Sequence, residues 1–202
     1  TASNNGPVCE GAQLDLTGGT NGMTSYAWTG PNTYAGGIQN PTVSATATTG
    51  MSGIYTLTVN DGNCTNTATT TVAVNELPTA TASNNGPVCE GASLDLTGGT
   101  NGMTSYAWTG PNTYAGGIQN PTVSATATTG MSGIYTLTVN DGNCTNTATT
   151  TVAVNELPTA TASNNGPVCE GASLDLTGGT NGMTSYAWTG PNGYTDATQN
   201  PT

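Results

Sequence analysis

The chain contains no Lys, no Arg, no His and no Phe. Each absence removes a class of activity. Without a side-chain cation nothing can neutralise phosphates, which argues against nucleic-acid binding and against attraction to an anionic membrane surface. Without His or Lys no Ser or Thr has a basic neighbour to activate it as a nucleophile. Lysine-based isopeptide cross-links are excluded for the same reason. No segment stays apolar over the ~18 residues that a membrane-spanning helix requires. Charge itself is scarce: eleven acidic groups give a net charge of −11, yet only 5% of residues are charged, which is not the composition of a charged disordered tail.

What is present is repetition. Residues 1–80 return at 81–160 with one change, Gln13 to Ser93, and a third copy runs from Thr161 to Thr202. A period of this length marks a tandem array, which is built for length or for many copies of one weak contact rather than around a unique active site. The expected modules are residues 1–78, 79–158 and a partial 159–202. The chain opens without Met or a signal-type segment and stops inside a repeat, so it is read as an excerpt of a longer exported protein.

Along one module, apolar and polar residues alternate and no helical period occurs. Leu14 and Leu16 flank Asp15; Tyr26 and Trp28 share a face; Tyr55, Leu57 and Val59 share another; Val72 and Val74 close the set. Gly and Pro clusters punctuate these runs, and Asn60-Asp61-Gly62-Asn63 is a hairpin signal. About seven short strands per copy predict an all-β sandwich. The short linker Asn75-Glu76-Leu77-Pro78 predicts semi-rigid spacing of neighbours.

The core is thin for a domain of this size, so a covalent staple is expected. The five cysteines are Cys9, Cys64, Cys89, Cys144 and Cys169, two per complete copy and one in the partial copy, whose partner falls outside the chain. Even numbers per module without a C-x-x-C pair or a His read as disulfides rather than zinc ligands. Two pairings stand. A bond within each module, Cys9 to Cys64 and Cys89 to Cys144, would close a loop of about 55 residues, for ~4 kcal/mol in the chain-entropy relation. A bond across the junction, Cys9 to Cys144, would lock successive modules together.

Other side chains could form sites. Acid–base catalysis needs two convergent carboxylates or a His, and each full copy offers only the equivalents of Glu10, Asp15, Asp61 and Glu76, so neither enzyme activity nor a cofactor is expected. Asp61 and Asp141, with neighbouring Asn oxygens, are weak calcium candidates, short of the six to eight oxygens calcium takes. Tyr34, Tyr114 and Tyr194 lie on a Gly-rich stretch and are candidates for stacking against a glycan. The third copy rewrites that stretch to Asn192-Gly193-Tyr194-Thr195-Asp196-Ala197.

The motifs P-V-C-E-G, Y-x-W-x-G-P-N, Q-N-P-T, G-x-Y-T-L-T-V and D-G-N-C together resemble the immunoglobulin-like and PKD-like repeats of large surface proteins from Bacteroidota-type bacteria. The resemblance covers every copy. It implies tandem immunoglobulin-like sandwiches in an extracellular setting, with Trp28 as the buried strand tryptophan and Tyr55 at a tyrosine-corner position. Met51 stands where an acidic residue is usual, four residues before that Tyr. Such repeats serve as filaments or stalks, as adhesins, or as spacers carrying a distant enzyme. Self-association or contact between neighbouring copies is the partner expectation.

Overall fold

The computed structural model describes residues 1–19 and 21–202. It divides into two compact units, Thr1–Val154 and Asn155–Thr202. The first unit holds two sandwiches of the same design. Among the described residues there is no α-helix, only single 3-10 turns.

In the first copy the strands are β1 (Ala2–Asn4), β2 (Val8–Cys9), β3 (Leu14–Gly18), β4 (Ser25–Gly30), β5 (Tyr34–Gly36), β6 (Thr42–Ser44), β7 (Gly53–Asn60), β8 (Thr65–Val72) and β9 (Val74–Asn75). One sheet has the order β1-β3-β6 and the other β5-β4-β7-β8, while β2 pairs with β9 in parallel. This is the strand order of an immunoglobulin-like sandwich, with hairpin-linked and crossing strands divided between two antiparallel sheets. The second copy repeats it through β10 (Ala82–Asn84), β11 (Val88–Cys89), β12 (Leu94–Gly98), β13 (Ser105–Gly110), β14 (Tyr114–Gly116), β15 (Thr122–Ser124), β16 (Gly133–Asn140), β17 (Thr145–Val152) and β18 (Val154–Asn155).

The period-2 pattern explains the core. Leu14 and Leu16 of β3 face inward and meet Trp28 of β4, Tyr55 and Leu57 of β7, and Val72 and Val74 of the return strand. All seven are at most 6% exposed, whereas Ile54, one residue out of phase on β7, is 63% exposed. The indole Nε1–H of Trp28 donates to the Gln39 carbonyl at 3.2 Å, so the largest buried side chain leaves no polar atom unpaired. Asn4 ties the two sheets, donating from Nδ2 to Thr70 Oγ1 at 2.6 Å and to the Thr71 carbonyl at 3.0 Å.

The tyrosine corner forms without an acidic partner. Tyr55 Oη donates to the Met51 carbonyl at 3.1 Å, a backbone acceptor that any residue at that position supplies. The ring lies flat over Gly30, where an added Cβ would fall 2.4 Å from Tyr55 Cδ1, so only glycine fits there.

Three strand boundaries are set by tertiary pairing. The Gly-rich connection from Tyr34 opens with a strand, β5, before Gly37 ends it. Strand β6 ends at Ser44, although Ala47 beyond it is buried, donates to the Ala12 carbonyl at 2.7 Å and accepts from the Gly11 N–H at 2.8 Å, and the register against β3 slips between Leu14 and Asp15. The return strand breaks at Ala73, beyond which β9 leaves β7 and joins β2.

The second unit carries β19 (Ala162–Asn164) paired with β20 (Leu176–Gly178), and β21 (Trp188–Thr189) paired with β22 (Thr195–Asp196). Residues 161–202 have no counterparts of β7 and β8, which in each complete copy cover the leucines and the tryptophan. Leu174 is accordingly 50% exposed, where the matching Leu14 and Leu94 are fully buried.

Candidate functional site: the stapled junction between copies

The residues with the most distinctive surroundings lie where the first copy meets the second. The bond is Cys9–Cys144, with Cα atoms 5.8 Å apart and a sequence separation of 135. This is the junction-crossing alternative and corrects the favoured pairing of Cys9 with Cys64 and Cys89 with Cys144; Cys64, Cys89 and Cys169 are unbonded and exposed.

Strand register gives the reason. Cys9 sits on β2, opposite Asn75 and next to the linker. Cys64 sits beyond the far end of the β7–β8 hairpin, past the pair Asn60 and Thr65. Eight hairpin residues and the β9 step separate the two levels, roughly 30 Å at strand rise. A disulfide tolerates about 7 Å between Cα atoms, so the bond within one module is out of reach. Cys144, at the hairpin end of the second copy, is brought to Cys9 because that end faces the linker end of the first.

The hairpin is built to present its cysteine. Asn140 Oδ1 accepts from the Gly142 N–H at 2.6 Å, and Asp141 Oδ1 accepts from the N–H groups of Asn143 and Cys144, both at 2.8 Å. Gly142 takes φ of 103°, a conformation that favours glycine. The first copy has the same turn, with Asp61 Oδ1 accepting from Asn63 N at 2.8 Å and Cys64 N at 2.7 Å. The backbone N–H groups of Cys64 and then Asn63 hold the Asp61 carboxyl below the usual carboxylate range, and those of Cys144 and Asn143 do the same to Asp141.

A second contact seals the junction. Asn146 Nδ2 donates to the Pro78 carbonyl at 2.9 Å, Pro78 is buried, and Cys9 Sγ lies 3.6 Å from the Asn143 carbonyl. Pro78 and Asn146 did not stand out in the sequence as a pair. The available signal was an Asn two residues after the second cysteine of each complete copy, interrupting a run of Thr and Ala.

The remaining candidates stay apart. Tyr34 and Tyr114 are half-buried on β5 and β14, and their rings meet Tyr55 and Tyr135 edge-on with centroids 5.6 Å apart. Burial pushes the pKa of both phenols above the ordinary tyrosine value, which disfavours their ionisation. Tyr194, in the second unit, is 37% exposed. Oδ1 of Asp61 and of Asp141 is engaged by its own turn, and no cluster of three or more His, Cys, Asp or Glu that could hold a metal occurs among the described residues.

No family model matches the chain, and no curated protein matches it. Solved structures with a similar course include the three N-terminal domains of the bacteriophage RB49 Highly Immunogenic Outer Capsid protein, at 17% identity over 100% of this chain and 78% of that one, with a TM-score of 0.38. The N-terminal four Ig domains of Dscam1 isoform 6.9 match at 15% identity over 73% of this chain, with a TM-score of 0.31. The chain spans 42% of the length of that Dscam1 structure. The amphioxus IgVJ-C2 molecule matches at 15% identity over 72% of this chain and 99% of that one, with a TM-score of 0.33. Likenesses this distant carry nothing about role; the immunoglobulin-like fold rests on strand order, the buried Trp28 and the Tyr55 corner.

Proposed function

We propose that the chain is part of an extracellular structural array, a filament or stalk in which identical modules supply reach and toughness and none performs chemistry. The observation that carries this reading is the Cys9–Cys144 bond, which fixes one module to the next rather than stapling each internally. Disulfides persist in oxidising compartments, which supports export to the cell surface or beyond. Modules at 1–78, 79–158 and 159–202 follow from the repeat, and each complete one adds about 35 Å at strand rise. The motifs shared with Bacteroidota-type surface repeats support the same setting.

A second reading, an adhesin using many weak copies of one contact, is favoured by the equal 63% exposure of Ile38 and Ile118. Tyr34, Tyr114 and Tyr194 would then be its glycan-facing candidates. A spacer carrying a distant enzyme or tip domain is the third role for such repeats. Negative-stain electron microscopy of the oxidised chain, paired with a glycan array, separates the first two. Regular fibres without glycan binding are expected. Discrete particles that bind immobilised glycans would replace the filament with the adhesin.

A further inference from the structure

Each complete copy contains two Asn-Gly steps: Asn5-Gly6 and Asn21-Gly22 in the first, Asn85-Gly86 and Asn101-Gly102 in the second. The fold treats the two kinds differently. At Asn85 both ends of the side-chain amide are held. Its Nδ2 donates to the Ser93 carbonyl at 3.0 Å, and its Oδ1 accepts from the Asp95 N–H at 2.9 Å. The next backbone N–H, that of Gly86, donates to Asn84 Oδ1 at 2.7 Å. Asn5 and Gly6 are held in the same way by Gln13, Asp15 and Asn4.

Asn101 and Gly102 lie on the loop between β12 and β13. This loop reaches the closed junction, where Thr100 Oγ1 donates to the Thr79 carbonyl at 2.5 Å, yet Asn101 and Gly102 remain exposed. One bond touches the Asn101 amide: its Oδ1 accepts from Gln119 Nε2 at 2.7 Å. The same Nε2 donates to the Gly98 carbonyl at 2.6 Å, which fixes the Gln119 amide in place. Among the described residues, the Gly102 N–H has no backbone or side-chain acceptor. Gly102 takes φ of 81°, and a Cβ added there would meet nothing within 4 Å, so its nitrogen carries no obstruction. The first copy repeats this arrangement. Gln39 Nε2 donates to Asn21 Oδ1 at 2.7 Å, and Gly22 takes φ of 80° in equally open space.

We propose that Asn21-Gly22 and Asn101-Gly102 are sites of spontaneous covalent modification, at which the Asn amide closes on the next backbone nitrogen and is converted to a carboxylate. Gln39 and Gln119 are the hydrogen-bond donors to the oxygen that becomes negative. Hydroxide removes the Gly102 N–H proton, and the nitrogen pair forms a bond to Asn101 Cγ while the carbonyl pair moves onto Oδ1. The Gln119 N–H stabilises that oxyanion as an oxyanion-hole donor does. The oxyanion collapses and breaks the Cγ–Nδ2 bond; the nitrogen takes a proton from water and leaves as ammonia, which restores the hydroxide. Water then adds to either carbonyl of the five-membered imide and cleaves its bond to the ring nitrogen. The product is Asp, or isoaspartate in which the chain runs through the side-chain carbon. One water enters, one ammonia leaves, and nothing is oxidised or reduced. Each converted loop gains one negative charge beside the linker. The reaction needs no partner and proceeds whatever the role of the array.

The test incubates the full folded chain at mildly alkaline pH, then reduces it, cleaves it after Glu and maps the peptides by mass spectrometry over time. Cleavage after Glu76, Glu90 and Glu156 puts Asn85 and Asn101 on separate peptides, and Gln13 against Ser93 distinguishes the Asn21 peptide from the Asn101 peptide. The amide-to-acid mass change, with both Asp and isoaspartate products, is expected at Asn21 and Asn101. It should be at least about tenfold faster there than at Asn5 and Asn85, where several hydrogen bonds must break before the ring can close. In denaturant with reductant the four steps should converge, because all are Asn-Gly. Gln119→Leu should slow Asn101 several-fold and leave Asn21, in the same molecule, unchanged, with the Cys9–Cys144 bond retained by thiol titration. Gln119→Glu, which keeps the shape and loses the donor, makes the same test should the leucine variant fail to fold. An unmodified Asn101, equal rates at Asn85 and Asn101 in the folded chain, or an Asn101 rate that a folded Gln119 variant leaves equal to that of Asn21 would each overturn the proposal.

Discussion

The hairpins Asn60–Thr65 and Asn140–Thr145 share every residue and every turn hydrogen bond, yet one cysteine is free and the other bonded. The linkers differ in the same way: Leu77 is half-buried and Pro78 buried, whereas Leu157 is 55% exposed and Pro158 is exposed. Identical local sequence therefore fixes the turn but not its burial. Burial comes from the neighbouring module, and the functional property belongs to the pair. In a tandem array this is the expected division, with intrinsic terms set within a repeat and interface terms set between repeats.

The comparison can be broken most decisively by force. The Cys9–Cys144 bond places residues 10–143 inside a closed covalent loop. Tension on the unit Thr1–Val154 passes through nine residues before the bond and eleven after it. Full unfolding of the oxidised unit should expose a contour of about 70 Å, against about 540 Å once the bond is reduced, at ~3.5 Å per residue. Single-molecule pulling with and without reductant reads this directly. Equal contour lengths in the two conditions would mean that the bond does not carry the load.

The next largest effect is on stability. In the chain-entropy relation a 135-residue loop is worth about 5 kcal/mol, an upper figure for what Cys144→Ser removes. Cys64→Ser, at an exposed thiol, should stay within about 0.5 kcal/mol. Denaturant unfolding under oxidising conditions should separate the two serine variants, although the substituted segments are identical. Equal midpoints would erase the distinction between the hairpins. A smaller effect is expected at the amide contact. Asn146→Ala removes the bond to Pro78 and should cost about 1 kcal/mol, while Asn66→Ala, at an exposed side chain, should cost close to nothing.

Much of the module was legible in sequence because period and punctuation act locally. The inward set Leu14, Leu16, Trp28, Tyr55, Leu57, Val72 and Val74 follows from alternation alone, and Asp61-Gly62 marks its hairpin. The pairing of Cys9 was not legible to the same degree. Parity of cysteines per copy pointed to a bond within a module, although it is equally compatible with the bond across the junction that forms. The choice turns on which ends of two modules meet, a distance set by the β7–β8 register and the β2–β9 pairing. The corner was legible as a tyrosine position but not as a contact, since its acceptor is the Met51 carbonyl, which no side-chain pattern announces. Tyr34 read as a loop aromatic because Gly36 and Gly37 follow it, while its edge-on packing against Tyr55 is a tertiary fact.

The smallest effect sharpens the comparison by being the same on both sides. Asp61 and Asp141 are held below the usual carboxylate range by the N–H groups of their own turns, first those of Cys64 and Cys144 and then those of Asn63 and Asn143. A carboxyl whose folded value is lowered stabilises the turn fully above the unfolded-chain carboxylate range, and that contribution fades as pH falls through the lowered folded value. Both turns should therefore loosen together in strong acid, irrespective of the bond that Cys144 carries. Amide chemical shifts of Cys64 and Cys144, followed from neutral to strongly acidic pH, should move over the same window. A window displaced only at Cys144 would show that the junction, rather than the turn, sets the carboxylate's surroundings. The boundary drawn above between local and inter-module terms would then have to move inward to include Asp141.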